Sequence, residues 1–137
     1  MATHTVIHRV QFSETDMAGV VHFANFFKWM EEVEHDFFRS RGLSVQLRHP
    51  LGEIGWPRVN VTCDFAAPAR FEDEVTLHFT LTRLGEKSLS YEVEFLLKDK
   101  RLAVAKATSV CCLMADGVLK AIPIPPDVRD KLSAPVS

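Results

Sequence analysis

The stretch that most constrains this chain is residues 11–41, QFSETDMAGVVHFANFFKWMEEVEHDFFRSR. It reads as the end of a strand at Phe12, a polar loop carrying Asp16, and one long amphipathic helix. At about 100° per residue, Phe23, Phe26, Phe27, Met30, Val33 and Phe37 fall on one face, with Phe38 at its edge. Lys28, Glu32, His35, Asp36 and Arg39 fall on the other. Asn25 is the expected N-cap, because its side-chain oxygen can accept from a first-turn N–H. Gly42 stands where a left-handed stop is expected. No other stretch offers a comparable helix, so the strands must find their core partner here. Glu34 breaks the apolar stripe. A carboxylate there has to be paired, sit at an interface, or open onto a pocket.

A length of 137 residues suits one domain, spanning 1–137. With 47% hydrophobic and 25% charged residues, the chain can bury a single core. A net charge of −2 provides no basic field for nucleic acid or an anionic membrane, so neither is an expected partner. No run approaches the ~20 apolar residues that span a bilayer, and the start, MATHTVIHRV, lacks an apolar signal core. Cys63, Cys111 and Cys112 form an odd set without metal-ligand spacing. Reduced thiols in a cytoplasmic protein are the expectation.

Strand periodicity runs through most of the remainder. Val6, His8, Val10 and Phe12 alternate with Ile7, Arg9 and Gln11. Residues 43–55, with Pro50, Gly52 and Gly55, read as an irregular excursion. Val59, Val61, Cys63 and Phe65 then alternate with Arg58, Asn60, Thr62 and Asp64. Val75, Leu77, Phe79 and Leu81 define the next strand, and LGEKS reads as a hairpin turn into Leu89, Tyr91, Val93 and Phe95. A last strand from Leu102 to Met114 is apolar on both faces over much of its length, as for a central strand or one covered by another subunit. Asp116-Gly117 gives a turn, and a short helix is expected over Asp127–Leu132. One strand, one long helix and four strands give an α+β layout: a curled antiparallel five-stranded sheet wrapped around one long central helix.

That order of elements resembles the hotdog fold. The segment FSETDMAGVVHFANFFKWMEE resembles the 4-hydroxybenzoyl-CoA thioesterase family, whose pattern runs F-x-[DE]-T/C-D-x-x-G-x-V-[FY]. CDFAAPARFEDEVTLHFTLTRLGEKSLSYEVEF is similar to the family's second half, and the aryl-CoA branch is the nearest in character. The resemblance implies an acyl-CoA substrate, Asp16 as the catalytic carboxylate, and the backbone N–H of Phe23 as the donor to the thioester oxygen. Some relatives carry Tyr or His where this chain has Phe23; that side-chain role is absent here or passes to His22. Other hotdog thioesterases use a helix glutamate, which keeps Glu31 and Glu34 open as alternatives. The resemblance also implies CoA phosphates held by surface cations, with Lys87 beside Ser88 first and Arg101 second. Finally, it implies an active site between subunits of a homodimer or homotetramer.

The residues support such chemistry on their own terms. Asp16 can act as nucleophile or as general base for water, and the sequence does not separate the two. The helix start offers unpaired N–H groups and partial positive charge for a developing oxyanion. Gly19 lets the backbone turn tightly between carboxylate and helix. Phe23, Phe26 and Phe27 crowd the same place and suit a flat aromatic or short acyl group. His22 reads either as an exposed loop histidine or as a group orienting water or substrate, and Glu14 as a solvated loop charge. No G-x-S-x-G elbow, zinc spacing or phosphate loop is present, so no serine nucleophile, metal or cofactor is expected. Two other readings stay open: a non-catalytic thioester-binding module, and a hotdog hydratase or dehydratase.

Overall fold

Five of the alternating segments pair antiparallel into one sheet: β1 (Thr3–Arg9), β4 (Arg58–Phe65), β5 (Glu74–Leu84), β6 (Ser88–Leu97) and β7 (Lys100–Val110), in the order β1-β5-β6-β7-β4. A computed structural model describes residues 1–135; the last two residues of the expected 1–137 unit lie outside them. The register places Val6 opposite Leu77, Leu77 opposite Phe95, and Phe95 opposite Ala103, so one face is apolar across four strands. The long helix α1 (Ala24–Ser40) lies on that face. Its buried residues Phe26, Trp29, Met30, Val33 and Phe37 follow the 3.6-residue period and join the single core cluster with the sheet. Phe37 stacks on Phe79 at 4.5 Å between centroids, and Phe79 lies 4.8 Å from Tyr91. Ala103, Ala105 and Ala107, all buried, keep the β7 part of the face low.

Several expectations are corrected. Asn25 is not the N-cap: Phe23 holds that place with helical dihedrals and no side-chain cap, and Asn25 is buried inside the first turn. Phe23 is 58% exposed and lies outside the stripe, whereas Trp29 is 1% exposed and central to it. Residues 43–55 are not irregular throughout. They form a hairpin of β2 (Leu47–His49) and β3 (Gly52–Gly55), which joins β8 (Cys112–Ala115) and β9 (Val118–Ala121) in a second antiparallel sheet, order β2-β3-β8-β9. The strand expected over 102–114 accordingly breaks at Cys111, where the chain passes from one sheet to the other. The Cys111 N–H donates to Lys87 O at 2.7 Å, and its carbonyl accepts from Ile122 N–H at 2.9 Å.

The ends of α1 are set locally. At its C-terminus the Gly42 N–H donates to Arg39 O (3.0 Å) and the Leu43 N–H to Phe38 O (2.9 Å), with Gly42 at φ +70°. That is the paired closure in which a glycine takes the left-handed position cheaply. A second helix, α2 (Pro126–Ser133), begins with proline where no N–H is required and buries Val128 and Leu132. No described helix is long and apolar enough to cross a membrane.

Since Phe37 is fully buried between the helix and the Phe79 ring, Phe37→Ala is expected to lower unfolding free energy by about 3–5 kcal/mol. Urea titration of the two proteins checks this; a loss under 1 kcal/mol would mean that the stack contributes little.

Candidate active site

Asp16 sits in a tight loop between β1 and α1. Its N–H donates to Val20 O at 2.9 Å, its carbonyl accepts from Gly19 N–H at 2.9 Å, and Thr15 bridges Val21. Gly19 has φ +77° and open space around a would-be Cβ, so its requirement is conformational and not steric. One carboxylate oxygen of Asp16, Oδ1, accepts from Ala18 N–H at 2.8 Å; Oδ2 has no partner among the described residues. The side chain is therefore oriented by its own loop while half of it stays available.

Opposite the loop is the start of α1. The Asn25 and Phe26 N–H groups are taken by the carbonyls of His22 and Phe23, and the His22 N–H donates to Glu14 O at 2.9 Å. The Phe23 N–H has no hydrogen-bond partner among the described residues. His22 is exposed, stacks on Phe23 at 4.8 Å, and turns its Nδ1 toward the Ala24 N–H; it makes no hydrogen bond to Asp16. Phe26 is a core residue packed against Trp29, Phe65 and Phe95, so of the three phenylalanines only Phe23 and Phe27 remain accessible.

Glu14 overturns its reading as a solvated charge. Its side chain is 15% exposed and stands between β1 and α1. Oε1 accepts from the Gln11 N–H (2.7 Å) and lies 2.9 Å from His8 Nε2, while Oε2 accepts from the Trp29 indole N–H at 2.7 Å. Burial pushes its pKa up, but the Gln11, His8 and Trp29 hydrogen bonds outweigh that and hold it below the usual carboxylate range. The identity of Trp29 as a buried donor was the signal available in the sequence. An indole N–H in a core needs an acceptor.

The two helix glutamates lie elsewhere. At 1.5 Å per residue, Glu31 and Glu34 are about 12 Å and about 16 Å along α1 from Phe23. Glu34, only 3% exposed, accepts from Arg58 Nη2 at 2.7 Å, and the Tyr91 hydroxyl is 3.3 Å from the same nitrogen. Burial raises the Glu34 pKa, with Arg58 and Tyr91 opposing. Glu34 is thus the paired option of the three foreseen. Phe27, Lys28, Met30, Glu31, Arg58 and Val61 line a groove of about 270 Å³ between α1 and β4. Among the described residues, Arg58 Nε and Nη1 make no hydrogen bond there.

The expected CoA-binding cations separate. β1 and β5 run antiparallel with Arg9 opposite Glu74, so the Asp16 loop is at the Glu74 end of β5. Lys87 and Ser88 follow the other end, some ten residues or about 33 Å along the strand, and within one chain they do not meet Asp16. Arg101 is at the near end, ion-paired with Glu94 beside a depression that also holds Phe65 and Lys106. Burial pushes the Cys63 and Cys111 thiols up to about 11, which suits packing and not nucleophilic attack.

Comparison with known proteins decides the family. The thioesterase-like superfamily model matches residues 10–132. The chain belongs to that superfamily. It resembles the crystal structure of a 1,4-dihydroxy-2-naphthoyl-CoA thioesterase from Synechocystis, at 27% identity and TM-score 0.85, covering 96% of each chain. A gentisyl-coenzyme A thioesterase structure is 31% identical with TM-score 0.78, over 91% of this chain and 98% of that one. The 4-hydroxybenzoyl-CoA thioesterase of Pseudomonas sp. is 28% identical over 86 residues, 61% of either protein. These are hotdog thioesterases, as the TD-x-x-G-x-V segment implies.

The Glu14 surroundings give a pH prediction. A carboxyl held low in the folded state contributes stability that is complete above the ordinary glutamate value of ~4.3. That contribution is lost as pH falls through the lowered folded value. The urea midpoints of wild type and Glu14→Gln should therefore differ at neutral pH and converge on acidification; a gap that stays constant would be contrary to this account.

Proposed function

We propose that this protein is an acyl-CoA thioesterase that cleaves a short or aromatic acyl thioester, with Asp16 as its catalytic carboxylate. The observation that carries the reading is an available Asp16 oxygen and an unengaged Phe23 N–H held on one loop–helix junction. The N–H, at the positive end of α1, suits the carbonyl oxygen as it gains charge. With Asp16 as nucleophile, its oxygen attacks the carbonyl carbon, the C–S bond breaks, CoA leaves as thiolate, and water hydrolyses the resulting anhydride. With Asp16 as general base, it takes the proton of a water that attacks directly. Either route needs the carboxylate in its ionised form. Glu31 and Glu34 are too far along α1 to replace it within one chain.

The groove beyond Phe27 supports a ring-sized acyl group. Phe27, Met30 and Val61 give apolar walls, while Glu31 and the unengaged side of Arg58 offer an acceptor and a donor at its far end. That suits a hydroxylated ring, the kind of acyl group named for the naphthoyl, gentisyl and hydroxybenzoyl relatives. Three free cysteines, with no disulfide among the described residues, fit a reducing, cytoplasmic setting.

With Asp16→Asn, kcat is expected to fall roughly 10²–10⁴-fold while melting temperature and directly measured substrate affinity stay close to wild type. Thiol release from benzoyl-, phenylacetyl- and palmitoyl-CoA should rank the ring substrates above the long chain in kcat/KM. A folded variant keeping a third of wild-type kcat would defeat the role of Asp16 and make Glu31 or Glu34 the next carboxylate to test.

The homo-oligomer belongs to the same reading. β4 is an edge strand, and the side it was expected to bury is open: Val59 is 62%, Val61 37% and Phe65 48% exposed. Apolar edges of this kind call for cover. An isologous antiparallel pairing of β4 with its copy closes both edges and turns the Arg58 end of one subunit toward the Phe65 end of the other. Since Arg58 pairs with Ser109 and Ser88 with Val110, that operation carries Lys87 and Ser88 of the partner subunit toward Phe23 and Asp16. The CoA phosphates would then meet Lys87 from the partner and Arg101 from the same chain. Sedimentation should give at least twice the 15.5 kDa chain mass, with a tetramer as a pair of such dimers. Val61→Asp should yield inactive monomer; an active wild-type monomer at micromolar concentration would refute the arrangement.

A further inference from the structure

We infer that Glu14 is the positioning residue of this site, fixing Asp16 relative to the Phe23 N–H; the inference rests on the thioesterase reading above. Two residues before Asp16, Glu14 gathers five contacts from three parts of the chain. Its carboxylate takes the Gln11 N–H, His8 of β1 and the Trp29 indole of α1. Its carbonyl takes the His22 N–H and the Asn25 Nδ2, both at 2.9 Å. The carbonyl contacts hold the residue next to Phe23, and the chain leads from the same residue through Thr15 to Asp16. Both halves of the reacting geometry are thus referred to one anchor. His8 in turn is held by Glu32 Oε1 at 3.0 Å and packs on Trp29 at 4.7 Å.

The chemistry of the anchor calls for a carboxylate. Two backbone or indole N–H donors and one imidazole nitrogen converge on two oxygens, and an ionised carboxylate accepts on all sides. A glutamine would turn an NH₂ group against the Trp29 indole or against the Gln11 N–H. The Glu14 carboxylate is also substantially closed to water, so a misplaced donor there is not cheaply re-solvated. Asp16 itself is held only by local loop bonds, and a displacement of about 1 Å can cost on the order of 10²-fold in rate.

The test is a kinetic cycle of Glu14→Gln, Asp16→Asn and the double variant, assayed with benzoyl-CoA below the unfolding midpoint of each protein. Glu14→Gln should lower kcat roughly 10- to 100-fold with KM within about threefold of wild type. In the Asp16→Asn background the same change should cost little, because the group being positioned is already gone. The Trp29 indole N–H resonance should move on Glu14→Gln while that of Trp56 stays. Should Glu14→Gln fail to fold, Trp29→Phe removes one donor while keeping an aromatic ring, and should show a smaller kcat loss that again vanishes with Asp16→Asn. Wild-type kcat in the folded variant, or an equal loss in both backgrounds, overturns the positioning role alone. An Asp16→Asn protein with wild-type turnover instead brings down the reading of Asp16 as the catalytic carboxylate on which it rests.

Discussion

One helix has to cover the apolar face of a five-stranded sheet, and most of the structure follows from that demand. A 17-residue helix presents a stripe, not a plane. Its buried face therefore carries large rings: Phe26, Trp29 and Phe37 meet rings of β5 and β6, and Phe38 meets Trp56. Toward β7 the same face of the sheet is lined with buried alanines. At the sheet's far edge the cover gives out, and β4 is left with valines and Phe65 in the open. The hairpin β2–β3 and strands β8–β9 extend the cover beyond the helix's C-terminal half, with Ile54 and Trp56 joining the core.

The same demand explains the polar interruptions. A helix clamped along its length cannot choose freely which side chains are buried, and Glu34 and the Trp29 indole are carried in with the rest. Each has drawn a partner from outside the helix: Arg58 for Glu34, Glu14 for Trp29. The Glu34–Arg58 pair is not an efficient source of stability, since desolvation offsets much of the attraction; the Glu14 hydrogen bonds do outweigh burial. Both pairs also fix geometry. Arg58 fixes β4 against the helix, and Glu14 fixes the Asp16 loop against it.

The periodicities carried a great deal of this. Strands β5 and β6 and the inward face of β1 alternate as their residues imply, and the TD-x-x-G-x-V segment marked the loop that meets the helix. What stayed illegible has physical causes. A helical wheel does not say where the sheet ends, so Phe23 was grouped with residues that the sheet covers. Alternation in β4 cannot tell a buried strand from an edge, because side-chain direction is the same in both. The break at Cys111 arises from a change of partner strand, which leaves no trace in a continuous apolar run. Glu14 looked solvated because its three donors come from positions 8, 11 and 29, and only the fold brings them together.

These features converge on the start of α1. Thioester cleavage by a carboxylate requires the reacting atoms to be shielded from bulk water, since a strong field at the oxyanion depends on a low local dielectric. Within one chain that place is open: Asp16 and Phe23 are exposed, and the nearest strand edge is the uncovered β4. The loop is nevertheless held firmly, by Glu14 on one side and the Thr15–Val21 bridge on the other. A rigid site without a roof is what a chain needs if its cover comes from a second copy. On the proposed reading the chemistry would wait on assembly, while the carboxylate and the N–H would be positioned within one subunit. On the pairing proposed for β4, closing the apolar edge and drying the acyl groove are a single event. Solubility of the chain and turnover of the site would then depend on the same contact.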